Sequence, residues 1–230
     1  MRLDRFLGNL PCFNRQQVRL LLAQRRVRVN GQVADDPRHD VSVFDRIEVE
    51  ARVVQVGEPA HYWMLHKPAG CVSATLDPEH RTVIDLLPAG MGHGLHIAGR
   101  LDYNTTGLMI LTNDGQWSRR LTQPATKLPK VYLVETQDEI TDQYAQAFRR
   151  GIYFAFEDLT TLPADLTVLG PRLARLSIVE GRYHQVKRMF GHFDNKVIAL
   201  HRERMGNIVL DEGLAPGQYR ALTAAEIAQV

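Results

Sequence analysis

Cysteine is nearly missing from this chain of 230 residues: Cys12 and Cys71 are its only two, far apart and outside any C-x-x-C pair. That excludes a disulfide framework and a cysteine-rich zinc site, and it suits a reducing interior with each thiol as a small buried hydrophobe. The nine histidines are scattered, none at metal spacing from a cysteine, so no metal is expected. Excess charge is also lacking. At a net +2 the whole chain does not announce a polyanionic partner, and any such argument has to rest on local charge. Long apolar runs are absent as well. The first seventeen residues are broken by Asp4 and Arg5 and lack the apolar core of a secretion signal, and no uncharged stretch approaches the length of a bilayer. The expectation is a cytoplasmic protein with no membrane partner. There is no P-loop, no G-x-G-x-x-G opening a helix, no G-x-S-x-G elbow and no H-E-x-x-H, which sets aside nucleotide triphosphatases, dinucleotide enzymes, serine hydrolases and zinc proteases. What is present is an ordinary globular balance, 44% hydrophobic and 23% charged, in a length suited to one large domain or two modest ones.

The first sixty residues organise themselves by period. Leu3, Phe6, Leu7 and Leu10 fall at helical spacing and stop at Pro11, and a second helix capped by Asn14 buries Val18, Leu21 and Leu22. The pattern then changes to alternation. Arg26-Val27-Arg28-Val29 reads as a strand, Asn30-Gly31 as a hairpin turn, and Val33, Val41–Val43 and Ile47–Val49 as further strand. The unit ends near residue 55, with Gly57-Glu58-Pro59 as linker, which predicts domains over 1–58 and 59–230. Charge within it is segregated. Residues 1 to 34 hold seven arginines against Asp4, whereas residues 35 to 50 hold six acids against Arg38 and Arg46. A solvated helix face with compensating acids next door is the bland account. Exclusive use of arginine tips the balance toward phosphate recognition. The segment resembles the S4 RNA-binding domain on Arg2-Leu3-Asp4-Arg5-Phe6-Leu7, on Asn14-Arg15, where that family more often has serine first, and on Arg26-Val27-Arg28-Val29-Asn30-Gly31. The resemblance implies RNA contacts from Arg2, Arg5, Arg15, Arg19, Arg26 and Arg28.

From His61 onward strand-like and helix-like stretches alternate. Tyr62–Leu65 and Leu108–Leu111 read as buried strands, while Val131–Val134 and Leu173–Ile178 alternate. Helices are predicted near 82–87, 115–122, 139–149 and 184–193, and a last one starts at Thr223, which with Glu226 forms a capping box. Asn113-Asp114-Gly115 reads as a hairpin turn. The class is α+β: a small helix–helix–hairpin domain, then a larger domain with a mixed, mainly antiparallel sheet flanked by helices and loops.

Three segments carry possible chemistry. His66-Lys67-Pro68-Ala69-Gly70 follows a strand, and alone it reads as a turn with a solvated lysine. Gly99 to Leu108 (GRLDYNTTGL) is dense in small and hydrogen-bonding residues and leads into an apolar strand. Asp102 there either caps a turn, as most such residues do, or is a functional group on a loop held by a rigid element. Glu180 to Phe190 (EGRYHQVKRMF) places Val186, Met189 and Phe190 on a buried helical stripe with Lys187 one turn from His184. Six cations against two acids over residues 182–204 make a second basic region.

Together these segments resemble the pseudouridine synthase family, in its S4-bearing branch. The matching strings are Lys67-Pro68-x-Gly70, Gly99-Arg100-Leu101-Asp102-x-x-Thr105-Thr106-Gly107-Leu108, Lys130-x-Tyr132-x-Val134 and Glu180-Gly181-Arg182-x-His184-Gln185-Val186-Lys187-Arg188-Met189, in the family's order. The resemblance implies Asp102 as the essential carboxylate, Tyr132 as the active-site tyrosine and Lys187 as the aspartate's basic partner, a position where many branches carry arginine. It implies substrate contacts from Arg100, Thr105, Thr106, Lys67, Arg182, His184, Gln185 and Arg188, and no cofactor or metal. The substrate it implies is ribosomal RNA, with the length and the C-terminal strings His201–Gly206 and Leu214–Arg220 closest to members acting on 16S rRNA, in an assembly intermediate and as a monomer. A 23S rRNA substrate, a non-catalytic S4-type ribosome-assembly protein and a glycosidase-like hydrolase are the alternatives.

Overall fold

A computed structural model describes residues 1–230, which fold as two compact units, Met1–Ala60 and His61–Val230. In the first, α1 (Leu3–Gly8) and α2 (Arg15–Ala23) precede a four-stranded sheet of β1 (Val27–Val29), β2 (Gln32–Val33), β3 (Ile47–Val49) and β4 (Arg52–Gln55), ordered β2-β1-β3-β4. Asn14 caps α2 by accepting from the Gln17 amide, and Gln17 returns the bond to the Asn14 amide. Leu3, Leu7, Val18, Leu21 and Leu22 bury against Val27, Val29, Ile47 and Val49. The β1–β2 turn needs two left-handed residues, and Asn30 (φ 51°) and Gly31 (φ 80°) supply them. Val41–Val43 is a loop, not a strand: the Ser42 amide and hydroxyl both donate to the Asp45 carboxylate, at 2.7 and 2.9 Å, and this local turn replaces ladder bonds. Cys12 is exposed, contrary to expectation, while Cys71 is buried.

The second unit runs β5 (Tyr62–Lys67), β6 (His96–Ala98), β7 (Thr106–Thr112), α3 (Gly115–Thr122), β8 (Lys130–Thr136), α4 (Asp142–Arg150), β9 (Tyr153–Phe154), β10 (Leu159–Thr160), β11 (Asp165–Gly170), β12 (Leu173–Ile178), α5 (Gln185–Gly191), β13 (Val197–Met205), β14 (Ile208–Val209), β15 (Tyr219–Ala221) and α6 (Ala224–Ile227). Its main sheet is ordered β11-β12-β8-β13-β7-β5-β15, and β7–β13 is the one parallel pair. Alternation sorts the side chains to two faces. Leu65, Met109, Leu111, Tyr132, Val134 and Leu176 pack with Phe148 of α4 and Met189 and Phe190 of α5. Met64, Leu108 and Ile110 pack on the other side with Trp117 and Leu121 of α3. No helix is long and apolar enough to cross a membrane.

Two local expectations change. Residues 82–87 contain only a short 3₁₀ turn, Ile84–Leu86, because the Asp85 carboxylate turns back to accept from the amide and hydroxyl of Thr82. Asn113-Asp114-Gly115 is no hairpin: Asp114 caps α3 by accepting from the Gln116 and Trp117 amides, each at 3.0 Å.

Candidate active site

Asp102 sits on the loop between β6 and β7, and two buried cations hold that loop. Lys67, at the end of β5 and 0% exposed, donates through Nζ to the carbonyl oxygens of Pro68, Tyr103 and Thr105 at 3.0, 3.1 and 2.9 Å. Burial pulls its pKa below the usual lysine value, opposed by the nearby Cys71 thiol and Asp102. Arg202 on β13, 1% exposed, donates through Nε to Leu108 and through Nη2 to Gly99, both at 2.9 Å, with a longer 3.4 Å bond to Arg100. Ser73 closes the loop's middle by donating to the Leu101 carbonyl and accepting its amide. Neither buried cation meets a carboxylate at ion-pair distance; both are spent on main-chain carbonyls. Gly107 lets β7 lie against β13 here, since a Cβ at its φ of +108° would stand 2.3 Å from the Arg202 carbonyl oxygen.

The Asp102 carboxylate remains 29% exposed, held on one oxygen and approached on the other. Lys187 Nζ lies 2.8 Å from Oδ2, and His184 Nε2 lies 3.5 Å from Oδ1. Both partners come from the start of α5. His184 precedes the helix in a left-handed conformation (φ 49°, ψ 30°) that side chains other than glycine adopt only at a cost of about 1–3 kcal/mol. Its imidazole stacks on the Tyr183 ring with centroids 3.9 Å apart. Tyr132 of β8, 7% exposed, lines the same small space as Arg100, Asp102, Thr105, Arg182, His184 and Lys187. That space borders a larger cleft of about 640 Å³, which also reaches Tyr103, Lys130, Glu180 and Tyr183. Asp102, Tyr132 and Lys187 therefore meet in one place although they lie on three separate elements.

Four residues expected to touch substrate do other work. Lys67 is sealed beneath the loop, so it positions Asp102 and cannot reach RNA. Gln185 is 3% exposed; its Oε1 accepts the Arg182 amide and its Nε2 donates to Glu180, which stiffens the turn into α5. Thr106 shares the parity of Leu108 and Ile110 and bonds His201 Nδ1 at 2.8 Å, on the opposite face of the sheet. Arg188 is held by both oxygens of Glu157 at 2.5 Å and lies 3.6 Å above the Phe154 ring. With Arg202 buried as well, the basic region counted over 182–204 is not one surface. Thr105 is 2% exposed and its hydroxyl has no partner in the chain.

Lys130 and Glu180 lie within the matching strings and Arg202 within the second basic region, but the sequence assigned none of them, nor Ser73, a part in the site. Lys130 is buried beside Arg202, and burial first, then Arg202, lowers its pKa while Glu180 opposes. Glu180 is 6% exposed and accepts from the Leu162 amide, Arg182 and Gln185. Arg202 stands in the polar run His201–Arg204 of Val197–Met205, and nothing in that run set it apart from Glu203 or Arg204.

In the N-terminal unit, Arg2, Arg5, Arg15 and Arg19 line a groove of about 760 Å³ between the two helices and residues 35–38. Arg2 pairs with Asp4, whereas Arg5, Arg15 and Arg19 are exposed and have no acidic partner. Arg26 pairs with Glu50, and Arg28 donates to the Gly31 carbonyl at 2.8 Å.

Known proteins show the same layout. Residues 61–192 match the family described as RNA pseudouridylate synthase, and residues 1–47 match the S4 domain. Over 230 residues, covering 100% of both chains, the protein is 61% identical to one from Pseudomonas aeruginosa named ribosomal small subunit pseudouridine synthase A. It is 42% identical to the protein of that name from Escherichia coli strain K12, again with 100% of both covered. A solved structure described as a pseudouridylate synthase superposes with a TM-score of 0.73 at 40% identity, covering 100% of this chain and 99% of the other. With the family matched over more than half its length and an S4 domain matched ahead of it, this chain belongs to the pseudouridine synthases, in the branch that carries an S4 domain at its N-terminus.

Proposed function

We propose that this enzyme isomerises a uridine of small-subunit 16S ribosomal RNA, with Asp102 as the reacting carboxylate, Lys187 as its charge partner and Tyr132 as the ring against which the uracil lies. One observation carries the reading: a partly exposed carboxylate, held by a cation at 2.8 Å, on a loop pinned by two buried cations at a cleft. The names of the full-length relatives support the small subunit as the source of the RNA.

The reaction breaks the C1′–N1 bond, turns the uracil and forms C1′–C5, while the C5 proton is lost and N1 gains one. No group leaves and nothing is oxidised. An anionic oxygen can stabilise or trap positive charge developing at C1′, as in retaining glycosidases, or add to the pyrimidine ring. Lys187 fixes the orientation of that oxygen. Arg100 and Arg182, both exposed at the rim, suit the phosphates on either side of an extruded nucleotide, Arg182 while its Nε donates to Glu180. Extrusion costs a few kcal/mol, which phosphate contacts offset. The arginine groove of residues 1–58 supplies further such contacts, and residues 59–230 carry the chemistry. Extrusion is easiest before rRNA is locked into a finished subunit, so the substrate is an assembly intermediate in the cytoplasm. Asp102, Tyr132 and Lys187 come together within a single copy of the chain, and we read the enzyme as a monomer.

Tritium release from 5-tritiated uridine in rRNA tests the chemistry. Asp102→Asn abolishes release while RNA affinity stays within a few-fold; normal release by this variant removes Asp102 from the role. Release by the wild-type protein also rules out a binding-only protein, and free uracil among the products would mark a hydrolase. Mapping pseudouridines in rRNA from cells lacking the protein tests the substrate: loss of one position in 16S rRNA is expected, and loss in 23S rRNA alone overturns that assignment.

A further inference from the structure

β7 and β13 pair as strands only at Thr106–His201 and Gly107–Arg202. Ahead of those positions they part. β7 leads back into the Asp102 loop, while β13 extends to Val197 with β8 on one edge and no strand on the other. The gap between them is a groove of about 650 Å³, bounded by Asn104–Thr105, the end of α5 and residues 196–200. Thr105 and Lys187 line both this groove and the small space around Asp102, so the two are contiguous.

Its walls have the chemistry of a nucleotide site. The unpaired edge of β13 leaves main-chain donors and acceptors to face the groove, as any open strand edge does. Ile198 is 54% exposed and gives a base an apolar surface to lie on. Lys196 is exposed with no acidic partner, an ammonium available to a phosphate. Asp194, the one acid on the groove, faces it with an acceptor for an exocyclic amino group. The buried hydroxyl of Thr105, without a partner in the chain, stands where the groove meets the Asp102 space.

We propose that this groove holds the nucleotide next to the target uridine in the RNA strand, its base along Ile198 and its phosphate toward Lys196. The proposal rests on the reading of Asp102 as the reacting group. It makes site choice depend on a neighbouring base as well as on the uridine, and it assigns that discrimination to the split between β7 and β13.

RNA oligonucleotides spanning the modified site, carrying one abasic ribose immediately 5′ or 3′ of the target, test this by tritium release and, separately, by affinity for Asp102→Asn protein. Wild-type enzyme is expected to lose about tenfold in kcat/KM, mostly through KM, with one of the two abasic RNAs, the size of one lost apolar contact. Ile198→Ala shows that loss on intact RNA and loses nothing more when the base is missing, whereas Lys196→Ala, which removes a phosphate contact, weakens intact and abasic RNA alike. Both side chains are exposed, and circular dichroism and the melting temperature verify folding. Equal rates on intact and both abasic RNAs, or losses that add between Ile198→Ala and the abasic RNA, overturn the proposal. A wrong assignment of Asp102 shows itself differently: Asp102→Asn then releases tritium, and its dependence on the neighbouring base still decides the groove.

Discussion

Positive charge does opposite jobs in the two units. Arg5, Arg15 and Arg19 stand exposed on a helical groove, with Asp4 and Asp35 also on its walls but neither paired to them at contact distance, whereas Lys67 and Arg202 are withdrawn from water and surrounded by carbonyl oxygens. An exposed arginine keeps its donors free for phosphate, and its worth fades as salt rises. A buried one pays a desolvation cost that only several charge-assisted hydrogen bonds, about 1.5–3 kcal/mol each, can offset. Its return is geometry: the Asp102 loop is held in one shape before RNA arrives. Counting basic residues in a window reports the first use and misreads the second.

The sharpest way to break this contrast is Arg202→Met, which keeps length and apolarity but leaves the Gly99, Arg100 and Leu108 carbonyls without a donor. Urea unfolding is expected to show a loss of about 3–5 kcal/mol. Tritium release should fall roughly a hundredfold in kcat, with KM less affected, as for a misplaced catalytic group. Wild-type kcat in a folded variant would mean the loop needs no such clamp. On the other side of the contrast, Arg5→Gln, Arg15→Gln and Arg19→Gln together should lower the slope of log affinity against log salt by about 2–3 units. Filter binding across a salt series reads this, and kcat at saturating RNA should change far less than affinity. An unaltered slope would take these arginines off the RNA.

A smaller effect sharpens the comparison with a charge cluster of intermediate exposure. Glu226 is held down to about 2 by the two-pronged hydrogen bond from Arg220, opposed by burial and assisted by the Thr223 amide and hydroxyl. A carboxylate whose pKa falls on folding stabilises the protein above its ordinary value, so this contribution is complete above pH 4.5 and disappears as pH drops from there toward 2. With the side chain 19% exposed, about 1–2 kcal/mol is expected, seen as a steeper fall of melting temperature with acid in wild type than in Glu226→Gln.

Local signals were readable where the bonding partner lies within a few residues. Asn14 and Thr223 cap their helices, Asn30-Gly31 turns its hairpin, and Val186, Met189 and Phe190 form the buried stripe of α5. Short polar clusters were ambiguous for the same reason. Asp114 serves a helix cap as readily as a hairpin, and Ser42 with Asp45 makes a turn where alternation suggested a strand. Motif order brought Asp102, Tyr132 and Lys187 onto one list. Motif membership did not separate residues that face the cleft from those beneath it, as Lys67, Gln185 and Thr106 demonstrate.

Composition, period and motif order were enough to assign the class, the two-unit plan and the residues grouped around Asp102, because these depend on spacing along the chain. The roles of the charges were not written there. Lys67 lies far from Thr105 in sequence, and Arg202 far from Gly99, so only the folding of β5, β7 and β13 into one sheet brings each cation to its carbonyls. Whether a lysine or arginine meets RNA or main chain is a matter of which side of the packed sheet it lands on, and a one-dimensional pattern carries no such coordinate.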